Sequence, residues 1–269
     1  MIADISLPVA LGLALLLMVV LFSITFWICR RLDNYGFVDV VWSYSFIPLA
    51  WFFALNATGW SMRQLVIASL ASAWSVRLGS HLYKRVASHH PEEDSRYAQL
   101  REDWKLNFGP MMFGFFQLQA LTVVLLGLPF VFPTYNAATS FTIWEMVGTA
   151  IAVVSLCGES LADGQLAAFR KKPKNKGKVC NVGLWRYSRH PNYFFEWCIW
   201  VGFGVFALGS AYGWIGLLAP ASIYYLLRYK TGVPMAEASS LKSKGDQFRE
   251  YQRTTNEFFP GPSRNSASS

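Results

Sequence analysis

Asn192 and Glu196 stand one helical turn apart in the stretch LWRYSRHPNYFFEW, with Arg186, Arg189 and His190 just ahead of them and the apolar run CIWVGFGVFALGS behind. An amide and a carboxylate on one helical face can orient a polar ligand, and arginine forks can grip its phosphates. Glu159, Asp163 and Arg170 likewise share a face, at i, i+4 and i+11. Trp74, Arg77, His81 and Lys84 make another stripe, and Asp39 lies alone among aromatic and branched residues in GFVDVVWSYSF. An Asp or Arg at the centre of a bilayer costs about 2.5–3.5 kcal/mol on insertion scales, so such groups face a polar cavity or one another. A helix-locking ion pair accounts for Arg77 or Glu159 taken singly. For the whole set, a shared cavity is the better account.

The elements that must carry these residues are apolar blocks of about 20 residues, the length that crosses a bilayer. Seven such spans are expected: Ile5–Ile28, Phe37–Leu55, Gln64–Tyr83, Met111–Phe132, Ile143–Ala168, Tyr193–Leu208 and Tyr212–Leu227. Only GSAYG separates the last two, which makes them antiparallel neighbours. The first has no basic residue before it and no small-residue cleavage site after FWICRR, so it reads as a retained helix. With 53% hydrophobic and only 15% charged residues, the chain is too apolar for an average soluble domain. The fold class expected is an all-α polytopic membrane protein.

A net charge of +8 raises the question of nucleic acid, and its distribution answers it. Arg30 and Arg31, then Lys84 to Lys105, then RKKPKNKGK with Arg186 and Arg189, then the basic residues after the last span all fall in alternate connections. The other connections carry Arg63 alone. The positive-inside rule then places the N-terminus outside and the C-terminus in the cytoplasm, and no nucleic-acid partner is expected. Cys29, Cys157, Cys180 and Cys198 have no paired or metal-ligand spacing, the four histidines have no zinc spacing, and SHHPEED reads as a solvated loop. No metal is expected. The six basic residues of RKKPKNKGK suit a lipid-headgroup patch or a polyanionic cytosolic cofactor equally well. Pro191 fits the first turn of a helix whose free N–H groups favour an anion.

The stretch GLWRYSRHPNYFFEW, preceded by ADGQLAAFRKKPKNKGK and followed by GVPMAEASSLKSKGDQFREYQRTTNEFFP, resembles the steroid 5-alpha-reductase superfamily, and more closely its bacterial-type branch known as DUF1295. GFVDVVWSYSF and AWSVRLGSHLYKR fit the same branch, so the resemblance covers most of the chain. It implies a multi-helix membrane enzyme that uses NADPH to reduce a conjugated carbon–carbon double bond in a lipophilic, steroid- or isoprenoid-like substrate drawn from the bilayer. By position, it implies that Asp163, Arg170, Lys171, Asn192 and Glu196 contact the cofactor, with Trp185, Arg189, His190 and Tyr193 lining the groove and Glu237 and Tyr251 joining from the C-terminal part. Asp39 takes the place of the acid that holds the substrate carbonyl, a role requiring a neutral carboxyl in an apolar cavity. Trp42, Trp74, Arg77 and His81 fall on the substrate side. The chain departs from the pattern at Trp74, which stands where steroid reductases carry a tyrosine. An indole donates a hydrogen bond but no proton, so Tyr44, Tyr83 or His81 would supply the missing group.

Residues 1–258 are thus expected to form one reductase-like domain, with substrate-side helices in 1–110, cofactor-binding helices in 111–258 and a disordered tail in 259–269. Its membrane would be the bacterial inner membrane or, in a eukaryote, the endoplasmic reticulum. Two rival readings share parts of the pattern. The RHPNY helix also occurs in membrane methyltransferases of the isoprenylcysteine type, which use S-adenosylmethionine, and a non-catalytic sterol- or lipid-binding protein would tolerate the missing tyrosine.

Overall fold

The computed structural model describes residues 5–264, and among these no strand occurs. Eleven α-helices follow one another: α1 Leu7–Leu32, α2 Phe37–Asn56, α3 Ser61–His89, α4 Ser95–Asp103, α5 Phe108–Leu126, α6 Leu128–Thr134, α7 Ile143–Arg170, α8 Pro191–Ala207, α9 Leu218–Tyr229, α10 Val233–Lys244 and α11 Asp246–Thr254. The all-helical expectation holds. Four helices, α1, α2, α5 and α7, are long and apolar enough to cross a membrane. Along α1 the side chains of Leu16, Val20, Ile24, Trp27 and Ile28 are each about half exposed or more, an apolar surface that suits lipid.

The other three expected spans differ for separable reasons. α3 has the length but carries Arg63, Gln64, Arg77, His81, Lys84 and Arg85. α8 ends after 17 residues. The last begins as a 3-10 turn, Gly213–Leu217, and gives only the 12-residue α9. The expected span 111–132 is also broken, ending as α5 at Leu126 and restarting as α6. Pro129 and Pro133 withhold two backbone donors there. Gly127 marks the break, and a Cβ on it would lie 2.5 Å from a Leu49 methyl.

The chain divides into two compact units, one comprising the residues up to Ile143 with Ala207–Gly216, the other Trp144–Phe206 with Leu217 onward. The expected boundary at residue 110 therefore moves to the start of α7. In the first unit α2 packs on α3, and α1 on α5. Its core is aromatic, with Phe46 edge-on to both Trp42 and Trp74, and Phe26 edge-on to Phe113 and Phe116. Arg63, fully buried, donates to the carbonyls of Asn136 (2.7 Å), Ala138 (2.8 Å) and Ser140 (2.7 Å). These carbonyls belong to the loop after α6, so Arg63, in the first turn of α3, ties that loop to the helix.

In the second unit α7 and α8 touch backbone to backbone. A Cβ on Gly202 would lie 2.7 Å from the amide nitrogen of Ala152 and 2.8 Å from the carbonyl of Gly148, and Gly158 makes room for the Phe195 ring. The buried stripe of α7 is Glu145, Gly148, Ala152, Ser155, Glu159 and Ala162, a 3-4 repeat of small and polar residues. The segment after α11 is tied down. Gly261 N–H donates to Tyr187, Arg264 N–H to Thr254, and Phe258 is 1% exposed among Phe194, Trp197 and Tyr224. The expected disorder of the tail is thus corrected for 259–264, and 265–269 lie outside the described residues.

Candidate functional site

The close approach of α7 to α8 brings two of the expected residues together. Asn192, in the first turn of α8, donates through Nδ2 to Asp163 Oδ1 at 3.2 Å. Its own Oδ1 is buried and has no hydrogen-bond partner. A buried amide oxygen left without a donor costs on the order of 1–3 kcal/mol, so the arrangement suits a ligand that brings an N–H. Glu196 follows one turn along α8, 8% exposed, and accepts from the indole of Trp200 at 3.0 Å.

The turn feeding α8 is anchored on both sides. Gly183 has φ +59, and a Cβ there would fall 2.4 Å from Gln165 Oε1, the atom that accepts from Leu184 N–H at 2.8 Å. Trp185 donates from its indole to the carbonyl of Ala162 (2.8 Å), next to Asp163. Tyr193 stacks on His190, ring centroids 5.4 Å apart and planes within 5°. Arg170 and Lys171, at the end of α7, are exposed cations.

Arg189, Glu237 and Tyr251, expected at the cofactor, make hydrogen bonds within the protein. Arg189, 9% exposed, donates from Nε to Glu237 Oε1 (2.7 Å) and from Nη1 to the carbonyls of Gln252 (3.1 Å) and Thr255 (2.7 Å). Glu237 also pairs with His190 Nε2 (3.2 Å) and accepts from Gln252 Nε2 (2.6 Å). Burial would raise the Glu237 carboxyl, but the hydrogen bonds from His190, Arg189 and Gln252 outweigh it and hold it down to about 2. Tyr251 donates its hydroxyl to the carbonyl of Trp185, with that of Ser188 at 3.3 Å, and burial pushes the phenol well above its usual range. Arg189, Glu237 and Tyr251 therefore brace the turn from behind.

In the first unit the expectation for Asp39 is corrected. Its carboxylate does not face an apolar cavity: Oδ2 accepts from Arg96 and Oδ1 from the Tyr97 hydroxyl, both at 2.6 Å, with Arg85 at 3.7 Å. Tyr97 is 2% exposed, and burial together with the Asp39 charge pushes its phenol well above its usual range. SHHPEED is exposed from Ser88 to Glu92, as expected, whereas Glu93 at its end is engaged, accepting from Tyr35 N–H (2.6 Å) and Arg101 Nε (2.7 Å). Asp94 caps α4 by accepting from Arg96 N–H at 3.0 Å; an Asp ahead of SRYAQLRED is the signal by which this helix, missed in the sequence, could have been found. Tyr44 bonds Ser80 at 2.9 Å and lies against Gly79, whose added Cβ would meet its ring at 2.8 Å. Trp42 donates to Thr122 (3.0 Å), Trp74 is buried on Phe46, Arg77 is half-buried, and His81 and Tyr83 are exposed.

These features define an all-helical protein of membrane-helix character whose polar residues gather at helix ends. Its residues 25–255 match the family described as "Protein of unknown function (DUF1295)", and the chain belongs to that family. It is also similar to an uncharacterized protein of Schizosaccharomyces pombe, 26% identical over 288 residues that cover 94% of this chain and 79% of the yeast protein. No solved structure matches it.

Proposed function

We propose that this protein is an integral-membrane, NADPH-dependent reductase of a conjugated carbon–carbon double bond in a lipophilic, steroid- or isoprenoid-like substrate taken from the bilayer. In this reading α3, α8 and α9 with its preceding turn also lie within the membrane, giving seven spans with the N-terminus outside and the C-terminus in the cytoplasm. The observation that carries it is the Asp163–Asn192 pair, with its buried amide oxygen left for an incoming donor. A nicotinamide carboxamide offers such a donor, and Arg170 and Lys171 offer charge to phosphates. The residues present therefore fit the group. When bound, NADPH supplies a hydride.

The chain's own contribution is position and dryness. Asp163 fixes the Asn192 side chain, Glu196 is oriented by Trp200, and the turn from Gly183 to His190 is braced by Tyr251, Arg189 and Glu237. The aromatic core around Trp42, Phe46 and Trp74 would give a lipophilic substrate its apolar surroundings. A second reading, a methyltransferase using S-adenosylmethionine, draws support from the carboxylates of Asp163 and Glu196, which suit a cationic sulfonium. Equilibrium titration of the detergent-solubilised protein with each cofactor separates the two. NADPH should bind, Asn192→Ala should weaken it about tenfold or more, and the melting temperature should stay put. Saturable S-adenosylmethionine binding without NADPH binding would replace the reductase reading with the second one.

A further inference from the structure

Three membrane-length helices of the first unit meet at one face. α1 begins there, α2 stops there at Asn56, and α5 reaches it through α6, which ends at Thr134. Their connections are tied together at Asn136. Its carbonyl accepts from Trp60 N–H (3.0 Å) and from Arg63 Nη1 (2.7 Å). Its side chain donates through Nδ2 to the Gly209 carbonyl (3.0 Å) and to Ser210 Oγ (3.2 Å). Beside it the Tyr135 hydroxyl donates to the carbonyl of Ile5, just ahead of α1 (2.8 Å). Because α1, α2 and α5 are long and apolar enough to cross a bilayer, the face on which they end is a membrane surface.

That face is uncharged. The connections 57–60, 135–142 and 208–216 carry no charged side chain, and Arg63, which ties them, is fully buried. From it the turn after α8 projects two aromatic rings, with Tyr212 69% exposed and Trp214 64%. The turn is firmly built. Ser210 N–H donates to Ala207, Gly213 N–H to Ser210 and Ile215 N–H to Tyr212, each at 3.0 Å, and a Cβ on Gly213 would collide with the Ala207 carbonyl. Tyr212 takes φ +59, a left-handed conformation that costs an aromatic residue free energy and that glycine adopts readily. A strained position that displays a bulky exposed ring points to a use for the ring. Tyrosine and tryptophan suit the boundary of a bilayer, where the ring lies among apolar groups and the O–H or N–H reaches lipid oxygens. A face without exposed charge offers nothing to an anionic headgroup or to the charged rim of a protein partner.

We propose that the Tyr212–Trp214 turn is an interfacial anchor, with both rings seated in the headgroup and glycerol layer of the leaflet on the Asn136 face. Its partners are the ester and phosphate oxygens of lipids with no net charge, which accept from the phenol and the indole. Asn136 ties the turn to the loop after α6, and Arg63 ties that loop to α3, so the anchor sets the depth of the first unit as a body. This assignment is independent of the reaction the protein carries out.

The test uses the full chain in phosphatidylcholine vesicles, with nitroxide labels at Tyr212→Cys, Trp214→Cys and Thr139→Cys in a cysteine-free background. Thr139 is exposed on the same face and gives the aqueous reference. The ratio of collisions with oxygen, which concentrates in lipid, to collisions with a water-soluble nickel chelate should be about threefold or more higher at 212 and 214 than at 139. Equal ratios would leave the turn in water and overturn the proposal. Low collision rates with both reagents would mark a protein contact and overturn it as well. A second arm keeps the aromatic residues in place. Phosphatidylcholine brominated high on its acyl chains should quench the emission of wild type more than that of Trp214→Phe. No such difference, or a larger one when the bromines lie near the chain ends, would likewise sink the anchor.

Discussion

Replacing Glu237 with alanine should loosen the turn that presents Asn192, and the structure sets the size of the effect. The carboxylate takes three donors, from Arg189, His190 and Gln252, and is 13% exposed. Held at about 2 instead of 4.5, the carboxyl is favoured in its ionised form when folded. At about 1.4 kcal/mol per pKa unit, trimmed for its partial contact with solvent, this amounts to about 2–3 kcal/mol of stability. Because the folded value is depressed, the contribution is complete above pH 4.5 and is lost as pH falls from there toward about 2. Glu237→Ala and Glu237→Gln should both melt well below wild type at pH 7, measured by tryptophan fluorescence in detergent. Their deficit should narrow as the pH falls below 4.5. If Glu237→Ala melts within a degree of wild type at pH 7, or the deficit is the same at pH 3 as at pH 7, the reasoning about this hub is wrong.

Gly202→Ala should cost about 1–3 kcal/mol, because its Cβ would meet backbone atoms of α7 that cannot move alone. Gly164→Ala, with nothing within 4 Å, should be neutral or gain up to about 1 kcal/mol; equal melting losses in the two would remove the argument from close approach. Asp39→Asn should lower stability by about 1–2 kcal/mol by removing the charge that faces Arg96 and Tyr97, with Arg96 keeping its pair with Asp94, while NADPH affinity stays within about twofold; an unchanged melting temperature would show that this latch adds nothing. In a cysteine-free background, Thr139→Cys should react with an impermeant thiol reagent from outside and Lys174→Cys should not. The reverse pattern would invert the proposed topology.

Apolar blocks of bilayer-crossing length made α1, α2 and α7 legible, and helical spacing placed Asp163 and Asn192 on faces that do meet. What it could not supply was the third partner. Asp39 finds Arg96 and Tyr97 only because α4 folds back over 57 and 58 residues of sequence, and no spacing rule reaches that far. Arg189 belongs to the same class: its partners are mostly backbone carbonyls, which carry no residue identity to read. The missed break between α5 and α6 did have a signal in Gly127, Pro129 and Pro133, outweighed by continuous hydropathy. Trp74, placed on the substrate side by resemblance, is buried in the first unit edge-on to Phe46, a contact that no spacing rule marks.

The bracing of the turn before α8 also sets an order of events during synthesis. Ser188 finds its acceptors, the carbonyls of Glu257 and Phe258, 69 and 70 residues downstream. Arg189 waits for Glu237 and then for Gln252 and Thr255. On a ribosome, α8 and α9 are therefore made while the arginine ahead of them still lacks every partner that later buries it. The start of α8 is fixed only when residues near 258 have emerged. A premature stop after α9 would leave the R-H-P-N sequence intact and its geometry unmade, so a message truncated there should yield a membrane-inserted chain with no working site.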